Sequence, residues 1–117
     1  MATVTAIHRN CAPDAATLWD LYSVSVTGTA PNATPVFGDG GVICICNRSS
    51  VATSWRIAIS RDGATAVNAD YIGYDVTILG TAERHIVIPF QLPSKTKIRV
   101  YNTLATLSFT YMGREIS

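Results

Sequence analysis

The chain has 117 residues, 48% of them hydrophobic and only 15% charged, with a formal net charge of +1. That length fits one domain with a core large enough to need neither metals nor disulfides, and the near-neutral balance excludes the strong positive field by which nucleic-acid binders gather polyanions. A charged share well below the usual ~25% leaves a small domain short of dispersing charge, which points to surface covered by partner chains.

Residues 1–20 read as an N-terminal arm or edge-strand segment, ahead of a β-sandwich domain at 21–117. Within the arm, Ala2, Val4, Ala6 and Ile7 belong to a stretch suited to add a strand, either to a neighbour's sheet edge or to the domain's own sheet. The N-terminus has neither the basic start nor the apolar run of a secretory signal. No stretch of the chain approaches the ~20 apolar residues that span a bilayer, so a soluble protein made in the cytoplasm is expected. Pro13 followed by Asp14, Ala15 and Ala16 permits one turn of helix, and the β-type residues after it argue against more.

Residues 21–26 form the first convincing strand, broken by Gly28, Pro31 and Asn32, and Gly38-Asp39-Gly40-Gly41 reads as a second loop. Val42-Ile43-Cys44-Ile45-Cys46 is apolar on both sides, the pattern of a central strand with both faces covered. After a turn at 47–50, Trp55, Ile57 and Ile59 alternate with Ser54, Arg56, Ala58 and Ser60, and Arg61-Asp62-Gly63 closes that strand tightly. Residues 71–78 make the next strand. Ile86, Ile88 and Phe90 share a face of the one after, and Ile98 and Val100 then oppose Lys97, Arg99 and Tyr101. The last strand sets Leu107, Phe109 and Tyr111 against Thr106, Ser108 and Thr110. About eight short strands at regular spacing predict an all-β, antiparallel two-sheet sandwich, jelly-roll-like, with Trp55, Ile57, Ile59, Ile86, Ile88, Ile98, Val100, Leu107 and Phe109 as its core.

The residues that carry chemistry are scattered. His8 and His85 belong to no zinc-spaced pair, and Cys44-Ile45-Cys46 leaves no loop to wrap an ion. With an odd third cysteine at Cys11, the pair at Cys44 and Cys46 reads as small buried hydrophobes in a reducing compartment. Cys11 near His8 fixes no catalytic geometry, and the glycines at 38–41 precede a strand rather than the helix that a phosphate cradle needs. The eight carboxylates fall mostly in turns; Asp70 and Asp75 flank a Tyr-rich strand where a cation could sit, though turn and surface roles account for them. Lys95, Lys97 and Arg99 read as a solvated strand face rather than a phosphate patch. No catalytic, cofactor or metal site is therefore expected, nor any nucleic-acid or membrane partner. The tyrosines suit subunit interfaces better than a glycan-stacking surface, which makes Tyr101 and Tyr111 candidate assembly contacts beside the N-terminal residues.

Leu21-Tyr22-Ser23-Val24, Ile45-Cys46-Asn47-Arg48-Ser49-Ser50, Trp55-Arg56-Ile57-Ala58-Ile59-Ser60-Arg61-Asp62-Gly63-Ala64, Asp70-Tyr71-Ile72-Gly73-Tyr74-Asp75, Lys97-Ile98-Arg99-Val100-Tyr101 and Leu107 onward to Ile116 stand out. Together these stretches resemble a family of small virion proteins of tailed bacteriophages. Where that family often has Pro-Ala-Gly after the first strand, this chain has Ser25-Val26-Thr27-Gly28-Thr29. The resemblance implies a β-sandwich structural protein of the virion: a capsid decoration or cement protein bridging copies of the major capsid protein, or else a neck, tail or fibre module that could touch host glycan. It also implies a homo-oligomer, a trimer being one arrangement.

Overall fold

A computed structural model describes residues 4–25, 37–61 and 64–116. Eight strands account for most of it: β1 (Val4–Cys11), β2 (Trp19–Ser23), β3 (Phe37–Asn47), β4 (Thr53–Ser60), β5 (Tyr71–Ile78), β6 (Glu83–Leu92), β7 (Lys97–Asn102) and β8 (Leu107–Ile116). A 3-10 turn at Asn68–Asp70 leads into β5. The expected break around Gly28 and Pro31, together with Ala2, Asp62 and Gly63, lies outside the described residues.

Two four-stranded antiparallel sheets result, ordered β1-β8-β3-β6 and β2-β7-β4-β5. Among the described strands, only β4 to β5 is a connection within one sheet, and every other step crosses to the opposite sheet. That alternation, with the first strand paired to the last along Val4↔Ile116 to Cys11↔Phe109, is a jelly roll. β1, within the expected arm or edge-strand segment, is an edge strand of the first sheet, and β2 begins at Trp19. No helix forms after Pro13. Ala16 takes φ 54° there, and its N–H donates to the Asn102 carbonyl at 2.8 Å.

The core lies between the sheets and follows the alternation of the sequence. Trp55, Ile57, Ile88, Ile98, Val100, Leu107 and Phe109 are buried, with Ile59 and Ile86 packed against them from the margin. Leu21 and Tyr22 are both buried although adjacent, because a bulge between Asp20 and Tyr22 interrupts strict alternation in β2. Phe90, in phase with Ile88, is nonetheless 48% exposed. The pairing of β6 with β3 slips between Asp39 and Gly41, and beyond the slip Leu92 takes the inward place.

Gly38 to Gly41 is not a loop. These residues are the opening of β3, where Gly40 and Gly41 take φ 59° and 126° and turn the strand's inward face over. Positive φ inside a strand leaves the same mark on a sequence as a turn does. The space beside Gly41 is filled by Tyr111, whose ring would stand 2.6 Å from a Cβ there. The other correction to β3 concerns its outer face. The strand is central, yet only Ile43 and Ile45 enter the core, while Cys44 is part-exposed and Cys46 exposed. A sandwich covers one face of each sheet, so the cysteines are not core residues.

Candidate interaction surfaces

Titratable side chains are mostly consumed by structural contacts. Asp20 on β2 accepts from Lys97 and Arg99 on β7, both at 3.1 Å, so two of the three expected basic residues neutralise a carboxylate on their own sheet. Asp39 pairs with Arg114 at 2.8 Å, and Asp70 caps the Val67 N–H at 2.9 Å. Among the described residues, no three of His, Cys, Asp and Glu come together as metal ligands would. Burial pushes the Cys11 thiol up to about 11, away from the thiolate form that nucleophilic work needs.

The outer face of the second sheet carries the densest cluster. Arg56 on β4 lies between two tyrosine rings, its guanidinium carbon 4.0 Å from the centroid of Tyr74 on β5 and 4.3 Å from that of Tyr101 on β7. Asp75 fixes it from the side: Arg56 Nε donates to Oδ1 at 2.6 Å and Nη2 to Oδ2 at 3.2 Å. That bidentate hydrogen bond raises Arg56 and holds the Asp75 carboxyl below its usual range. Asp75 reaches Arg56 because φ 51° bulges the edge strand there, setting Tyr74 and Asp75 side by side. Tyr71 meets Tyr74 edge-on, with centroids 5.0 Å apart. An aromatic, charge-paired platform of this kind can bind by stacking and hydrogen bonding.

The first sheet's outer face is more apolar. Val42, Val87 and Met112 stand in one row, since Val42 pairs with both, and Val87 and Met112 are 66% and 46% exposed. At one end of the sandwich the loops expose Val51, Leu79 and Leu104. Asn47 holds that end rigid by donating to the Val51 and Leu79 carbonyls at 2.9 and 3.1 Å.

The expected assembly residues divide. Val4 and Ala6 are exposed on β1, and Tyr101 is part-exposed against Arg56. Ile7 and Tyr111 are buried in the core, and Ala2 lies outside the described residues. Tyr111 shares its face with Leu107 and Phe109, and that phase carries it inward with them. Val87 and Met112, exposed on the first sheet's outer face, are not among the residues expected from the sequence. Their signal was an apolar residue out of phase, Val87 between Ile86 and Ile88 and Met112 after Tyr111.

No protein-family model matches the chain, and no curated protein does. Its fold does have solved counterparts. A chain from the crystal structure of the T13 viral particle of infectious bursal disease virus superposes with a TM-score of 0.53 at 9% identity, covering 98% of this chain and 30% of that one. A chain from the Gx strain of the same virus aligns at 0.42, also at 9% identity, covering 99% of this chain and 31% of that one. This chain thus spans under a third of the length of either. The first likeness, at that identity, shows the fold: an eight-stranded jelly-roll sandwich found within a chain of a virus particle.

Proposed function

We propose that this protein is a structural component of a virion, and specifically a decoration or cement protein of a tailed bacteriophage head that bridges neighbouring copies of the major capsid protein. The observation that carries the reading is a jelly roll that is poor in charge and exposes rows and clusters of apolar side chains. Only 15% of the chain is charged, and twelve large hydrophobic side chains among the described residues are exposed, Val87, Leu79 and Val67 by 60% or more. Single exposed apolar groups are ordinary, but rows and clusters of them mark contact surfaces. The resemblance of its strand motifs to small phage virion proteins adds the source, and the jelly-roll likeness supports a structural rather than catalytic task. A protein that binds only the assembled shell stabilises it by mass action, which requires no catalytic group. Its place is then the virion, after synthesis in the host cytoplasm.

A second reading, a neck, tail or fibre module touching host glycan, is favoured by one feature: the Tyr71, Tyr74, Arg56 and Tyr101 cluster, where stacking surfaces and a fixed carboxylate adjoin. Pelleting of the purified protein with undecorated heads and, separately, with host cells tests both. Co-sedimentation with heads alone is expected. Binding confined to cells overturns the cement reading in favour of the second.

A further inference from the structure

The two flanks of the sandwich are finished differently. Where β1 meets β2, Ile7, Leu21 and Tyr22 close the gap between the sheets, none more than 7% exposed. On the opposite flank the edge strands are β5 and β6, and there Ile72, Val76 and Phe90 remain 46%, 40% and 48% exposed. A groove of about 730 Å³ enters this flank between Ile59, Ile72, Phe90 and Leu92. Five of the twelve exposed large hydrophobics (Val67, Ile72, Val76, Leu79 and Phe90) lie on β5, β6 or the segments bounding β5 without belonging to the outer-face clusters of Tyr74 and Val87. Apolar side chains are therefore left exposed where the core is unsealed.

We propose that this flank docks a second copy of the chain, through a two-fold axis that sets the Val76 and Leu79 end of each β5 against the groove of the other copy. Self-complementarity favours a copy over a foreign partner. The flank is hollow at one end and bears exposed Val76 and Leu79 at the other, so reversing it matches it to itself, as an isologous contact requires. β5 has eight residues, roughly 26 Å of strand, which lets both ends engage about an axis near its middle. Charge permits the contact as well. Two copies of formal charge +1 scarcely repel, and the charged residues lining the groove, Arg61 and Asp70, are of opposite sign.

The contact would be made by side chains rather than by continuing the sheet. β5 breaks register against β4 twice between Trp55 and Ala58, and bulges at Asp75, which makes its edge a poor template for another strand. Its size sets its strength. A flank roughly 26 Å long and about 20 Å wide across two sheets buries on the order of 500 Å² per copy, below the ~800 Å² of a standard interface. Association is accordingly weak and concentration-dependent.

The inference does not rest on the virion reading, and head binding can fail while it stands. Sedimentation of the full chain from about 1 µM to about 1 mM is expected to pass from monomer to dimer. Ile72→Asp and Leu79→Asp, at opposite ends of the flank, are each expected to raise the dissociation constant tenfold or more, with melting curves confirming that both variants fold. Val4→Asp, 58% exposed on β1 at the other flank, is expected to leave it unchanged. A strict monomer throughout, a trimer, or a dimer indifferent to both flank variants overturns the proposal.

Discussion

Tyr22 of β2 and Tyr111 of β8 stack across the sandwich with ring centroids 4.8 Å apart and planes 18° from parallel. Each hydroxyl donates onward, Tyr22 to the Glu115 carboxylate and Tyr111 to the Gly40 carbonyl. Burial pushes the Tyr111 phenol up to about 12, with the charges of Glu115 and Asp39 adding to it, and burial followed by the Glu115 hydrogen bond drives Tyr22 higher still. Both rings thus stay neutral donors at any ordinary pH. Glu115 gathers the exit of β2 as well, accepting from the Ser25 N–H at 2.9 Å and its hydroxyl at 3.1 Å.

That arrangement has a pH signature. Burial pushes the Glu115 carboxyl up, but the hydrogen bonds from Tyr22 and Ser25 and the charge of Arg9 outweigh it and leave the group below its ordinary value. A carboxyl lowered by folding contributes stability that is fully present above its unfolded pKa of ~4.3 and is lost as pH falls through the folded value. Thermal melts of wild type and Glu115→Gln are expected to differ most near neutrality and to converge in acid below that unfolded value. A gap that stays constant into acid would show that the charge contributes nothing.

Gly73 leaves no room for a side chain in the second sheet. A Cβ there would stand 2.2 Å from Cζ3 of Trp55, which is 5% exposed and fills the core under β5. Gly73→Ala is expected to cost about 1–3 kcal/mol, a melting temperature lower by roughly 4–12 °C. Gly38→Ala is the internal comparison. Its nearest contact is a milder 3.2 Å to Leu92, so the smaller loss belongs to it.

Asn102 is fully buried and serves three backbone groups. Its Nδ2 donates to the carbonyls of Pro13 at 3.3 Å and Asp14 at 3.1 Å, and its Oδ1 accepts from the Leu107 N–H at 3.2 Å. Asn102→Ala orphans all three and is expected to destabilise by about 2–4 kcal/mol in denaturant titration. Asn102→Asp keeps the acceptor but turns a carboxylate toward two carbonyls, and should be no better tolerated.

The three thiols are expected to alkylate in a fixed order. Cys46 is exposed and reacts first, whereas Cys11, half-buried and raised to about 11, is thiolate in only about one molecule in a thousand at pH 8. Mass spectrometry of a labelling time course reads the order directly. Cys11 modified ahead of Cys46 would contradict the burial found here.

Much of the fold was legible because alternation is a local property. Trp55, Ile57, Ile98, Val100, Leu107 and Phe109 face inward because their backbones are extended and regularly paired, and a period of two records that in the sequence. The reading failed where the backbone departs from the period. The Gly40 and Gly41 kink resembled a loop, the bulge in β2 buried two neighbours, and the slip in β6 left Phe90 outside. The candidate surfaces were less legible. Arg56 between Tyr74 and Tyr101 joins three strands, and nothing local in any of them announces the others.

By itself, then, the sequence determined an antiparallel sandwich of about eight strands, its core and its shortage of charge, since each follows from residue type and spacing along an extended chain. Tertiary structure alone decided the order β1-β8-β3-β6 over β2-β7-β4-β5, the exposure of Cys46 and the unsealed flank of β5 and β6. These depend on which strands become edges and which faces find a second layer. Those outcomes belong to long-range pairing, in which residue 4 meets residue 116, and no window of sequence contains both partners.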